Sequence, residues 1–260
     1  MPSIPVYVVD AFTRRPFSGN PAAVCPLEAW LPDAQMQAIA AEHNLAETAF
    51  VVKEPGGWRI RWFTPAVEVD LCGHATLAAA HVLARHRGVA AAEFVFQSRS
   101  GALPVRFRGE HIVLDFPARP PARCDVPAAL REGLGVNPLE VQRSRDFLVV
   151  LEDEETVRAI APDFARLAEV DCLGVIVTAR GREVDFVSRF FAPRAGINED
   201  PVTGSSHCTL TPYWAARLRK TELTARQLSR RGGDLVCTLA GDRVHIAGEA
   251  VTYLTGSAVV

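Results

Sequence analysis

The sequence predicts an α+β protein built as two similar domains, each with strands gathered around one central helix. Three observations carry this. The stretch 77–84, Leu-Ala-Ala-Ala-His-Val-Leu-Ala, is apolar on nearly every side, and a helix of that kind has to be covered all round. Strand-like runs stand before and after it, and the same succession of strands, helix start and further strands recurs in the second half. Finally, Arg61-x-Phe63-x-Pro65 is answered by Arg189-x-Phe191-x-Pro193. Each is followed by an Asp, then by a Gly and a polar residue that open a helix: Asp70 with Gly73-His74, and Asp200 with Gly204-Ser205. The gaps differ by a few residues, which leaves both an old duplication and convergence open.

In the first half, strands are expected at 6–11, 22–26, 49–52 and 58–63, the last alternating Trp, Arg, Ile, Arg, Trp and Phe. A helix is expected from Pro32-Asp33 to about His43, with Met36, Ile39 and Ala40 on its apolar side and Asn44 as its stop. Glu47 follows at a helix-to-strand junction. The apolar helix ends at Gly88, a C′ glycine, and strands follow at 94–97, 102–107 and 112–116. The proline-rich stretch 117–127 marks a domain boundary, giving domains 1–117 and 118–260, with the last strand free to return to the first domain. Beyond it come a strand at 147–151, helical patterns at 154–159 and 163–168, strands at 173–178 and 184–190, and a helix to about Arg219. Pro212 inside that helix predicts a kink, or a fresh start with Thr211 as cap and Pro212 in the first turn. Strands at 234–239, 243–246 and 250–254 complete the order.

Composition narrows the function. Hydrophobic content of 48% and charged content of 22% are those of a globular chain with ample core material. A formal charge of −2 with scattered arginines argues against a nucleic-acid surface or a polybasic membrane face. No apolar run approaches the roughly 18 residues of a membrane span, and no signal peptide is seen. The six cysteines are scattered, with no C-x-x-C, which favours reduced thiols in a cytoplasmic protein over a disulfide framework or a zinc site. His74 and His81 share a helix face, yet no acidic partner or third ligand stands beside them in sequence, so no metal is expected.

The chemistry concentrates at 196–210, Gly-Ile-Asn-Glu-Asp-Pro-Val-Thr-Gly-Ser-Ser-His-Cys-Thr-Leu. Small residues leave the backbone N–H groups of Gly204, Ser205 and Ser206 approachable. The first N–H groups of a helix lack internal partners, and the helix dipole adds partial positive charge, so such a start binds anions. Thr203 or Ser205 as a simple N-cap is the plain alternative. The Gly73-His74 start repeats the feature. Two domains related by a pseudo-twofold would bring the two starts face to face across a cleft, where ligands bind.

Four ordered motifs, Asp10-Ala-Phe12 with Phe17-x-Gly-Asn-Pro21, Asn44-Leu-Ala-Glu47-Thr48, Cys72-Gly-His-Ala-Thr76 and Glu199-Asp-Pro-Val-Thr-Gly-Ser205, resemble the phenazine biosynthesis PhzF-like family over nearly the whole chain. The resemblance implies a diaminopimelate epimerase-like fold: two pseudo-symmetric domains, each an antiparallel, barrel-like sheet around a central helix, with the active site between them. It implies a homodimeric isomerase that moves a proton on a small carboxylate without metal or organic cofactor. The characterised activity in the family converts trans-2,3-dihydro-3-hydroxyanthranilate to its ketone isomer. Carried over residue by residue, Glu47 is the general base and then the acid. His74 and Asp200 join it as catalytic residues, and Gly73, His74, Gly204 and Ser205 bind the substrate.

The chemistry agrees with those roles. Abstracting a proton from carbon needs a base, and burial in an apolar cleft is expected to raise the Glu47 pKa toward neutrality. Donors at the two helix starts would hold the carboxylate or enolate. Each residue also has a plain structural role to weigh: Asp200 as a turn residue before Pro201, His74 as a locally satisfied helix residue, Asn20 as a turn former, His81 as a core histidine. Arg61 and Arg189 stay unassigned. In the related racemases two cysteines act from opposite faces. Cys72 stands in the first such neighbourhood, whereas Pro201, Val202 and Thr203 occupy the second, so Cys72 reads better as a small packed residue. Two other functions remain open: an epimerase or racemase using Glu47 with Cys72, and a non-catalytic metabolite-binding protein.

Overall fold

A computed structural model describes residues 2–260. The chain forms two compact units, Met1–Asp115 with Ala247–Val260, and Phe116–Ile246.

In the first unit the strands are β1 (Ser3–Ala11), β2 (Asn20–Leu27), β3 (Glu47–Glu54), β4 (Gly57–Phe63), β5 (Glu68–Val69), β6 (Glu93–Ser98), β7 (Gly101–Arg108) and β8 (His111–Pro117). Helix α1 (Asp33–His43) links β2 to β3, and α2 (Gly73–His86) links β4 to β6 by way of β5. Pairing runs β1, β2, β3, β4, β6, β7, β8, with β5 also on β4.

In the second unit β9 (Ala122–Arg123), α3 (Ala128–Leu134), β10 (Glu140–Arg143) and β11 (Phe147–Val150) come first. Helices α4 (Glu154–Ala159) and α5 (Phe164–Ala168) lead to β12 (Val175–Arg180) and β13 (Phe186–Phe191). Helix α6 (Gly204–Leu218) then leads to β14 (Glu222–Gln227), β15 (Gly233–Ala240) and β16 (Arg243–Gly248). The last strand, β17 (Ala250–Val259), belongs again to the first unit, where it pairs antiparallel with β1. Within the second unit pairing runs β9 to β15 in sequence order.

The sheets are mixed, which corrects the expectation of purely antiparallel ones. In the first unit β2/β3 and β4/β6 are parallel; in the second β11/β12 and β13/β14 are. The reason is connectivity. A parallel pair needs a crossover of a dozen or more residues, and each of these pairs encloses a helical connection: α1, α2, α4 with α5, and α6. The order strand, helical crossover, two antiparallel strands, helix, strand, antiparallel strand therefore occurs once in each unit.

The alanine-rich composition of α2 does what it implied. His74, Ala75, Thr76, Leu77, Ala78, Ala79, Ala80, Val82 and Leu83 are buried, against β1, β2, β3 and β17. Small side chains let the sheet approach closely, while Leu77, Val82 and Leu83, fully buried, each contribute about 1.5–3 kcal/mol of apolar burial. Helix α1 ends on Asn44 in the left-handed region (φ 49°), its N–H bonded to the Ala40 carbonyl. Gly88 has φ 67°, a conformation in which a side chain is strained.

Helix α6 runs unbroken through Pro212, so the expected fresh start at Thr211 does not occur. Proline deprives the Cys208 carbonyl, four residues earlier, of its helical donor. The backbone N–H of Arg119 fills that place at 2.9 Å, and the Thr211 hydroxyl donates to the His207 carbonyl at 2.6 Å instead of capping. Trp214 stacks on Phe186 with ring centroids 5.9 Å apart, and its indole N–H donates to Thr178 Oγ1 at 3.0 Å. Five further elements were not expected from sequence: β5, β9, α3, β10 and β14.

Candidate active site

Glu47 is the first residue of β3, directly behind the turn that ends α1, so rigid elements on both sides aim its side chain. His74 is in the first turn of α2, and the two are brought together: Glu47 Oε2 lies 3.1 Å from His74 Nε2, with side-chain exposures of 13% and 6%. The sequence placed no acidic partner beside His74. The fold supplies one, because β3 and α2 are neighbours in the packed unit although 27 positions separate the two residues.

The other ring nitrogen of His74 is held too. Asn20 Nδ2 is 3.1 Å from Nδ1, and Cys72 Sγ is 3.6 Å from it. Asn20, completely buried at the head of β2, is thus more than a turn former. The loop before it is shaped by Gly19 at φ 67°, where an added Cβ would fall 2.1 Å from the Ala11 carbonyl oxygen. Asp10 helps shape that loop by accepting the Phe17 N–H at 2.9 Å. With Asn20 donating to Nδ1 the neutral ring carries its proton on Nε2; the imidazolium carries a proton on both nitrogens, and there the Asn20 amide must turn to offer its oxygen to Nδ1–H. Either form presents Nε2–H toward Glu47.

Burial pushes the Glu47 carboxyl upward, but the His74 ring at 3.1 Å and the polar contact with Cys72 pull it down further, so it sits below its ordinary value. This corrects the expectation of a raised pKa: desolvation is present and a buried partner outweighs it. His74 moves the opposite way. Burial opposes its charge, and Cys72 and Glu47 together lift it well above the ordinary histidine value. Burial and the Glu47 charge raise the Cys72 thiol, against the pull of His74. Glu47, Cys72 and His74 offer ligand atoms within 4.8 Å of one another, the set that could hold a metal ion.

In the second unit the segment before α6 is tightly tied. Asp200 N–H donates to the Phe190 carbonyl at 3.1 Å, and Asp200 Oδ2 accepts the Thr203 hydroxyl at 2.5 Å. Thr203 occupies the N-cap position but makes no side-chain cap bond, and Cys72 before α2 makes none either. At both starts the cap side chain leaves the leading N–H groups, those of Gly73 and His74 and those of Gly204 and Ser205, uncapped. Ser205 Oγ accepts from Arg145 Nη2 at 3.0 Å.

The repeated Arg-x-Phe motif has a structural meaning that the sequence did not disclose. Arg61 grips Glu68 through Nε and Nη2 at 2.7 and 2.8 Å, and Arg189 grips Glu199 through the same atoms at 2.7 and 3.0 Å. Each guanidinium also lies over the phenylalanine two residues on, at 5.2 Å for Phe63 and 4.9 Å for Phe191. Each fork pins the segment leading to a helix start. His81 is hydrogen-bonded as expected, with Nε2 2.9 Å from Thr252 Oγ1, but it is half-buried and not a core residue. His207 is fully buried, its Nδ1 2.8 Å from the Thr203 carbonyl, and burial lowers its pKa to about 4.

Comparison with known proteins agrees with this fold. The family model for phenazine biosynthesis-like proteins matches residues 9–256. An uncharacterized isomerase of Pseudomonas aeruginosa is 60% identical, with 95% of each chain covered. A PhzF family protein of Enterococcus faecalis superposes with a TM-score of 0.98 at 51% identity, covering 100% of both chains. A hydroxyproline epimerase from Agrobacterium vitis shares the fold alone, at TM-score 0.62 and 11% identity over 98% of this chain and 92% of its own. No helix among the described residues is long and apolar enough to cross a membrane.

Proposed function

As this chain belongs to the phenazine biosynthesis-like protein family and is an isomerase, we propose that it shifts a proton along a small carboxylate substrate, with Glu47 as the proton carrier. The observation that carries this reading is the buried Glu47–His74 contact at 3.1 Å. His74 keeps Glu47 ionised, so the base is ready to accept a proton at neutral pH. Glu47 takes the proton from one carbon and returns it to another on the same face. As the carboxyl forms, His74 Nε2–H faces its oxygen and limits the reorganisation the step requires.

The leading N–H groups of Gly73 and His74 bind the substrate in this reading, as do those of Gly204 and Ser205, with the Ser205 hydroxyl and Asp200 as polar contacts. The recurrence of one element order in the two units supports the view that they are pseudo-symmetric copies. No metal or organic cofactor has a step in this mechanism. A homodimer belongs to the same proposal and is tested by light scattering.

The test uses Glu47→Gln, which keeps shape and removes the base. It should bind 3-hydroxyanthranilate, the aromatic analogue of the family substrate, as the wild type does. Its turnover of trans-2,3-dihydro-3-hydroxyanthranilate should fall by about 10²–10⁴, the range for a lost general base. Undiminished turnover removes Glu47 from the mechanism. An epimerase using Cys72 is disfavoured by the raised thiol pKa. Iodoacetamide should therefore leave the activity intact; rapid inactivation at Cys72 would reverse that preference.

A further inference from the structure

Gln227 is the last residue of β14 and is completely buried. Its side chain spends every polar atom on the segment before α6. Oε1 accepts the Thr203 N–H at 2.9 Å, while Nε2 donates to the Asp200 carbonyl at 2.7 Å and to Thr203 Oγ1 at 3.2 Å. Two residues on, the Ser229 hydroxyl donates to the Pro201 carbonyl at 2.8 Å. These bonds fix Asp200 and Thr203, the two ends of the turn from which Gly204 and Ser205 emerge.

We infer that Gln227 is a positioning residue that holds the Asp200–Thr203 turn, and with it the Gly204 and Ser205 donors, in the geometry that receives substrate. This rests on the proposal that the start of α6 binds substrate. The physical reason is preorganisation. Donors fixed in advance need no reordering when ligand arrives, whereas a turn released from Gln227 would have to be ordered at the expense of affinity. Thr203 N–H precedes the helix and would face the interior unsatisfied without Oε1, so the amide both completes the turn and sets its direction. Gln227 does not touch the reacting atoms, and its effect should appear in binding more than in the chemical step.

Two variants test it. Gln227→Leu removes all three bonds. Gln227→Glu keeps the shape but, when ionised, sets an acceptor against the Asp200 carbonyl; once protonated it regains one donor and restores the bond to that carbonyl. Three measurements are made on the full chain: amide hydrogen exchange over 200–206, affinity for 3-hydroxyanthranilate, and KM against kcat for trans-2,3-dihydro-3-hydroxyanthranilate. For Gln227→Leu we expect faster exchange confined to 200–206 and affinity weakened about tenfold, the size of one to two lost buried hydrogen bonds. KM should rise by a similar factor with kcat little changed. For Gln227→Glu, affinity should recover as pH falls, a response the wild type lacks. Exchange and affinity equal to wild type in Gln227→Leu would overturn the assignment. So would a loss of global stability with KM unchanged, which describes a merely structural residue. Should the wild type itself fail to bind the probe, the exchange arm alone decides the role of Gln227, and the reading of the substrate falls separately. If Gln227→Leu does not fold, Gln227→Glu across the pH range decides the assignment.

Discussion

Glu47 Oε2 and His74 Nε2 lie 3.1 Å apart in a nearly dry environment, yet neither atom has a hydrogen bond of good geometry within the protein. Charge attraction keeps them close. A carboxylate in this setting differs from an isolated buried acid. Isolation would raise its pKa; here a cationic or polarised ring overrides that tendency.

The pH dependence follows with a definite sign. The pKa of Glu47 is lowered from its ordinary 4.5 and that of His74 is raised above 6.5. The charged pair is therefore present between the two shifted values. Activity that needs ionised Glu47 should hold as pH falls from 7 to about 5 and decline only below 4.5. The kcat/KM profile of the wild type checks this. An acidic limb near pH 6–7 would mean that burial wins after all. The same pair contributes stability that is lost on the acid side as Glu47 takes a proton, and on the alkaline side as pH rises through the His74 value.

The Arg189–Glu199 fork should behave as a buried ion pair. Its side chains are 12% and 21% exposed, and Arg189 Nη1 also donates to the Ile160 carbonyl at 2.7 Å. Arg189→Met leaves Glu199 without its partner and should cost about 2–3 kcal/mol in urea unfolding. The Arg189→Met/Glu199→Leu double variant should cost less than that single change, since no stranded carboxylate remains. Simple additivity of the two single changes would count against the fork as a coupled unit.

Much of this architecture could be read from the sequence, because it rests on local pattern. An Ala-rich helix without a polar face predicted the burial of α2, and Asn44 predicted the left-handed stop of α1. The doubled Arg-x-Phe-x-Pro motif flagged two related places without revealing the Glu partners at 68 and 199. Strand direction was not legible: residue alternation is the same in parallel and antiparallel pairs. β14 (Glu-Leu-Thr-Ala-Arg-Gln) buries Leu223, Ala225 and Gln227, of which Ala is depleted in strands and none is β-branched or aromatic. Pro212 pointed to a break, and the compensating donor, the Arg119 N–H, comes from a segment 93 positions away. The Glu47 pKa was misjudged for a similar reason, since the partner that decides its sign is remote in sequence.

His207 should make the protein acid-sensitive. Its pKa falls from 6.5 unfolded to about 4 folded because burial disfavours the charged ring. The destabilisation is absent above pH 6.5, grows as pH falls, and is complete near 4, because only the unfolded chain takes up this proton in that window. His81, lowered to about 4 by burial and by His86 and Arg85, adds in the same direction. In His207→Leu, the dependence of unfolding free energy on pH between 6 and 4.5 should be shallower by about 1.4 kcal/mol per pH unit, one proton's worth. An unchanged slope would show that His207 titrates normally in the folded protein.

Solvent isotope incorporation tests the role of Glu47 most directly. With trans-2,3-dihydro-3-hydroxyanthranilate in D₂O, the wild-type product should carry deuterium at the carbon that gains the proton, to the extent that the Glu47 proton exchanges with solvent before delivery. Glu47→Gln, folded and still binding 3-hydroxyanthranilate, should yield neither product nor label. Product formed by Glu47→Gln at the wild-type rate, labelled or not, would contradict the role of Glu47.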